Sequence, residues 1–149
     1  MSEYLFVFVP GKPAPQGSKR ALGPGVMIES SKYVKPWRAD IREAVRTEWE
    51  RYGPGGVVDE PLTVELMFRM PRPASTPKSY TPYAIKRPDV DKLVRAVLDA
   101  ISSAGVWADD SRVVELYASK CLAEADEPPG VSIRVRPCTS AFLGEEAKR

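Results

Sequence analysis

Five residues of the segment from Pro71 through Pro88, its two ends included, are proline. Each removes a backbone donor and fixes its own φ, so the stretch suits neither a strand ladder nor a helix. It is a long loop that divides the chain into two patterned segments. The whole chain has 149 residues, the usual size of one domain. The two segments therefore share a single core, at a length where a chain buries about two-thirds of its unfolded surface without staples.

The N-terminal segment opens on Tyr4 to Val9, a β-branched and aromatic run that stops at Pro10-Gly11 and reads as a strand. Residues 11–25 are rich in Gly, Pro, Lys and Arg and read as a loop, with Val26-Met27-Ile28 as a short strand after it. Ser30 and Ser31 offer capping hydroxyls, and Pro36 suits a first helical turn. Trp37, Ile41, Ala44, Val45 and Trp49 then follow helical spacing up to Gly53-Pro54-Gly55-Gly56. Leu62, Val64, Leu66 and Phe68 alternate as a half-buried strand does. Beyond the proline loop, Leu93, Val94, Val97, Leu98 and Ile101 form the stripe of a second helix, from Asp91 to Ser103, with Ala104-Gly105 as its stop. A strand from Val113 to Leu122 and another through Val131, Ile133 and Val135 complete the set. This order predicts one α+β domain over residues 1–137, with two helices on one face of a mixed or antiparallel sheet. Residues 138–149 read as a frayed tail.

Composition removes several chemistries. The chain contains no histidine, so histidine triads, bases and metal ligands are excluded. Two scattered cysteines, Cys121 and Cys138, make neither a disulfide framework nor a zinc site. No run reaches the ~18 apolar residues of a membrane helix. The start, Met1-Ser2-Glu3-Tyr4, does not read as a signal peptide, which predicts a cytoplasmic protein with no membrane partner. Catalysis is left to carboxylates, Lys, Arg, hydroxyls or a hard metal held by oxygen. Net charge is only +2, but its distribution is uneven. Residues 69–95 carry seven Lys/Arg against two Asp/Glu, whereas residues 96–130 carry two against seven. A basic excess running into carboxylates suits a polyanion held near a metal, and equally an unevenly charged solvated surface.

Asp89-Val90-Asp91 precedes the second helix and Asp109-Asp110 follows it. The helix rises roughly 18–20 Å, and the segment from Gly105 to Asp110 is long enough to return beside it. That path brings Asp110 back toward Asp89 and Asp91. Three adjacent carboxylates repel unless a cation neutralises them, and Mg²⁺ accepts such oxygen donors. Arg95 lies one helical turn beyond Asp91, placed to support the cluster or to contact a phosphate. The same residues also suit a plain helix start: Asp91 as a cap, an Asp91–Arg95 ion pair, and Asp109-Asp110 as turn residues.

The run from Lys86-Arg87-Pro88-Asp89-Val90-Asp91-Lys92-Leu93-Val94-Arg95 to Ala100, then Gly105-Val106-Trp107-Ala108-Asp109-Asp110-Ser111-Arg112-Val113-Val114, resembles the RusA family of Holliday-junction resolvases. The likeness extends to the early loop Gly11-Lys12-Pro13-Ala14-Pro15 and to Lys120, and spans roughly residues 4–137. It implies a RusA-like fold and a homodimeric, Mg²⁺-dependent endonuclease that nicks four-way or other branched DNA in recombination and repair. Mn²⁺ would be a substitute ion, and no organic cofactor is implied. The family's setting is the bacterial cytoplasm, often with a phage or prophage gene. By position, Asp89, Asp91 and Asp110 would be the essential metal-binding carboxylates, with Arg95 at the basic catalytic position. Lys92 stands where some members have asparagine, and Arg95 where some have lysine. Arginine is a poor proton donor and a good phosphate clamp, so the role expected of Arg95 is electrostatic.

The remaining basic residues then have an expected use. Lys12, Lys19, Arg20, Lys32, Lys35 and Arg38 in or after the first loop would track DNA phosphates. Lys78, Lys86 and Arg87 in the proline loop would do the same, together with Lys92 and Lys120. Tyr33, Tyr80 and Tyr83 are candidates for stacking on unpaired bases, whereas Trp37 belongs to the helix stripe and the core. The proline loop is expected to be a partly mobile arm that settles on junction phosphates. The rival readings are a non-catalytic binder of branched or single-stranded DNA and a small-molecule phosphohydrolase.

Overall fold

The computed structural model describes residues 3–17 and 32–144, and the backbone of 20–23 and 26–28. Four strands form one mixed sheet: β1 (Leu5–Pro10), β4 (Leu62–Met70), β5 (Val113–Leu122) and β6 (Gly130–Pro137), in the order β1-β6-β4-β5. A separate two-stranded ribbon joins β2 (Arg20–Gly23) to β3 (Val26–Ile28). The second of these strands was expected, but the first lies where the sequence reads as loop. Lys19, Ser30, Ser31 and the side chain of Arg20 lie outside the described residues.

Helix α1 (Val34–Tyr52) buries Val34, Trp37, Ile41, Val45 and Trp49, three or four residues apart. It begins two residues before Pro36, which falls in the first turn, where a missing N–H breaks no helical bond. Helix α2 (Val90–Ser103) buries Leu93, Val94, Ala96, Val97, Ala100 and Ile101. Both stripes meet one face of the sheet, built from Leu62, Val64, Leu66, Phe68 and Met70 of β4 with Val131, Ile133 and Val135 of β6. The protein is thus a single α+β domain with two helices on a four-stranded mixed sheet. β6 pairs antiparallel with both β1 and β4. The β4–β5 pair is parallel, because α2 carries the chain back along the sheet between them.

Trp37 is buried, as its place on the helix stripe predicts. It packs under Gly11, whose φ of +138° is a conformation that L side chains rarely adopt. A Cβ at Gly11 would stand 2.9 Å from Cζ3 of Trp37. Gly11→Ala is therefore expected to destabilise the domain by about 1–3 kcal/mol, from backbone strain and core displacement together. A thermal melt beside the parent protein measures it, and an unchanged midpoint contradicts the contact.

Candidate active site

The proline loop carries many carbonyls and few amide donors, so side chains have to satisfy them. Arg72 does most of this. One guanidinium nitrogen donates to Pro77 O (2.6 Å) and Tyr80 O (2.6 Å). The other donates to Thr81 Oγ1 (2.9 Å) and Ala123 O (3.3 Å) and stands 4.0 Å from Glu124. At the far end of the loop, Lys120 Nζ donates to Lys86 O (2.8 Å) and Pro88 O (2.9 Å). The expected mobile arm is thus laced at both ends, with Arg72 donating to three backbone carbonyls and one hydroxyl and Lys120 to two carbonyls. Lys78, Lys86 and Arg87 are exposed along it, and Tyr83 is 92% exposed near its tip.

The arm delivers the chain to Asp89, the extended residue preceding α2. Asp89, Asp91 and Arg95 are all exposed here. Lys92 Nζ lies 3.6 Å from Asp89 Oδ2, so the ion pair at this helix start runs to Asp89. The first loop reaches the same place, where Gln16 N donates to Lys92 O (3.0 Å). Arg38 donates to Gln16 Oε1 (2.6 Å), and the Gln16 amide donates to Asp99, which ties that loop to both helices. Arg38 is therefore already engaged at the α1–α2 seam. Lys12 and Lys32 place their ammonium groups 5.8 and 5.2 Å from the centre of the Tyr33 ring, and Lys35 is exposed on the first turn of α1.

Asp110 is positioned by the other end of α2. Beyond Gly105, Val106 and Trp107 are buried and form a parallel bridge with Val58. Val58 N donates to Val106 O (2.9 Å) and Ala108 N to Val58 O (3.0 Å). Asp109 accepts from Ser111 N (2.9 Å) and starts a tight turn over Asp110–Arg112, which Arg112 ties to Asp59 at 2.5 Å. The Ser111 hydroxyl and amide hold the Asp109 carboxyl below its ordinary range. Asp110 is thereby placed beside the start of β4, since Val113 pairs with Leu62. Asp89 lies near the far end, since Lys120 pairs with Phe68. Between Val113 and Lys120 the strand covers about 23 Å.

This corrects one expectation about the path. The return segment does not run back along α2 to Asp89, because burial of Val106 and Trp107 anchors it under the start of β4. Within one chain the acids form two exposed groups, Asp89 with Asp91 and Asp109 with Asp110. Among the described residues, no set of three or more acidic or sulfur side chains is gathered closely enough to hold a metal. The donor type still fits Mg²⁺, an ion commonly held by one or two carboxylates together with waters and substrate phosphates.

Sequence reasoning missed two roles, the lacing of the arm by Arg72 and the anchoring of its end by Lys120. The signal for both was the surplus of carbonyls over donors in residues 71–88. Lys120→Met is expected to leave the core intact and to free the segment before Asp89. Amide exchange at Ile85–Arg87 should rise by roughly tenfold, the loss of one or two charged hydrogen bonds. Unchanged protection would show that Lys120 does not hold this end.

No curated protein matches the chain. Among helices of the described residues, none is long and apolar enough to cross a membrane. The family model described as endodeoxyribonuclease RusA matches residues 10–136, nearly the whole fold and both acidic groups. The chain belongs to the RusA family of endodeoxyribonucleases.

Proposed function

We propose that this protein is a Mg²⁺-dependent endonuclease that works as a homodimer and resolves four-way or related branched DNA by paired nicks, in recombination and repair. The observation that carries the reading is the pairing of exposed carboxylates with an anchored basic arm. Lys78, Lys86 and Arg87 run along the arm to Asp89 and Asp91, with Lys92 and Arg95 beside them. Such a surface attracts a phosphate backbone and delivers it to oxygen ligands.

The separation of Asp110 from the other two acids supports a dimer. A two-fold axis that sets the Asp110 end of one copy against the Asp89 end of the other would complete two identical sites. Each site would then hold Asp89 and Asp91 from one chain and Asp110 from its partner. A bound Mg²⁺ supplies charge neutralisation and an activated water there, and Mn²⁺ can substitute for it. Arg95 clamps the phosphate, and the arm fixes the strand's path. Two symmetry-related sites match the two equivalent strands of a four-way junction.

The test is incubation of the protein with a synthetic four-way junction and with the matching linear duplex. Mg²⁺ should give symmetric nicks in the junction, and chelation by EDTA should abolish them. Junction binding without nicking, in either Mg²⁺ or Mn²⁺, would make the chain a non-catalytic binder. Hydrolysis of small phosphate esters with the junction left intact would make it a phosphohydrolase.

A further inference from the structure

We propose that Tyr83 and Ile85, on the outer side of the proline arm, form an apolar wedge that takes an unstacked base of branched DNA and so sets a preference for junctions over linear duplex. The substrate class rests on the endonuclease reading, whereas the wedge rests on the geometry of the arm.

Pro82 and Ala84 are half-buried, and Ala84 packs against the core. Tyr83 and Ile85 flank Ala84 and are left outside, 92% and 87% exposed. Ile85 N donates to Tyr83 O (3.0 Å), which closes a three-residue turn around Ala84. The backbone is held on both sides of this turn. Arg72 binds Tyr80 O and Thr81 before it, and Lys120 Nζ binds Lys86 O after it. The pair is thus presented in a fixed shape, and little conformational freedom remains to be lost when a ligand seats on it. A single exposed apolar residue is ordinary on a protein surface. Two of them, side by side on a braced turn, are not accounted for by packing within the chain.

The surroundings favour nucleic acid as the occupant. Lys78, Lys86 and Arg87 are exposed along the arm, and residues 71–88 contain no acidic side chain. Such a rim attracts phosphates. A tyrosine ring offers a face on which any base can stack, and an aliphatic side chain such as isoleucine can part a base step. Ile85 stands four residues before Asp89, a reach of about 14 Å at most, or roughly four base steps along one strand. A base held at the wedge therefore belongs to the stretch of DNA whose phosphates reach Asp89 and Asp91. Opening a stacked base in linear duplex costs free energy that a branch point has already partly given up. The wedge gains more from a junction for that reason. Lysine and arginine contacts to phosphate carry no such distinction, so the preference falls to Tyr83 and Ile85.

Tyr83→Ala with Ile85→Ala removes the wedge and keeps every charge of the arm. Both side chains are exposed, so a parent-like melt is expected. Binding is measured in EDTA, on a synthetic four-way junction and on the matching linear duplex. The junction Kd should rise by roughly tenfold or more, the scale of losing one stacked base. Duplex affinity and the salt slope on both substrates should stay at the parent values. Tyr83→Trp should keep the parental preference. In the parent, 5-iododeoxyuridine at the branch point should photo-cross-link to Tyr83, and the same base in the middle of a duplex arm should not. The proposal is overturned by equal loss on both substrates, by no loss on either, or by a parent with no preference for the junction. Loss of preference in the tryptophan variant, or no cross-link to Tyr83 from the branch point, also overturns it. Nicking in Mg²⁺ is scored separately. A preference that the double variant loses, in a parent that nicks nothing, overturns the endonuclease reading and leaves the wedge standing. Junction nicking by the parent, with the preference intact in the folded double variant, does the reverse.

Discussion

Asp89→Asn and Asp110→Asn proteins, each inactive alone, are expected to recover nicking when co-refolded in equal amounts. In a site built from two chains, the mixed dimer carries one intact site, with Asp89 and Asp91 from one copy and Asp110 from the other. Its second site carries both substitutions. Random assortment makes half the dimers mixed, so about a quarter of all sites should be intact. Each active dimer nicks one strand only, and the product should be singly nicked junction instead of resolved duplexes. Each parent variant alone should fall by a factor of about 10³ or more, the usual scale for removing a main electrostatic element of phosphodiester chemistry. A site contained within one chain predicts no recovery at any mixing ratio. Because both variants keep the basic arm, junction binding should survive in each, and lost binding would instead point to a structural role for the acids.

The second large effect is expected from Arg72→Met. The side chain is only 10% exposed and holds the arm through Pro77 O, Tyr80 O, Thr81 and Ala123 O. Methionine keeps much of the aliphatic bulk and loses every donor. The arm should loosen by about 2–4 kcal/mol, which allows for partial replacement of these bonds by water. Limited proteolysis should cut first between Pro73 and Arg87, at a site resistant in the parent. Arg72→Lys should restore little, because one ammonium group cannot reproduce the planar fork that serves several carbonyls at once. Unchanged proteolysis in the methionine variant would show that the prolines alone hold the arm's shape.

These outcomes bear on how much the sequence determined by itself. The stripes of both helices, the stop at Gly53, the strand from Val113 to Leu122 and the absence of histidine chemistry were legible in local pattern. Periodicity and turn chemistry act over a few residues, so a linear reading captures them. Asp89, Asp91, Arg95 and Asp110 could be singled out by type and spacing, and the RusA likeness by their order. The ribbon strand Arg20–Gly23 escaped, because its residues are turn-like in composition and gain their ladder only from Val26–Ile28. Tertiary structure alone decided the path after α2. Chain length permits Gly105 to Asp110 to run back along the helix, but Val106 and Trp107 are buried and pair with Val58, nearly fifty residues earlier. Burial of two apolar side chains outweighs a free return that satisfies none, and it fixes Asp110 at the opposite end of β5 from Asp89. The use of Arg72 and Lys120 was likewise a tertiary decision, made by unpaired carbonyls that only the folded loop brings within reach.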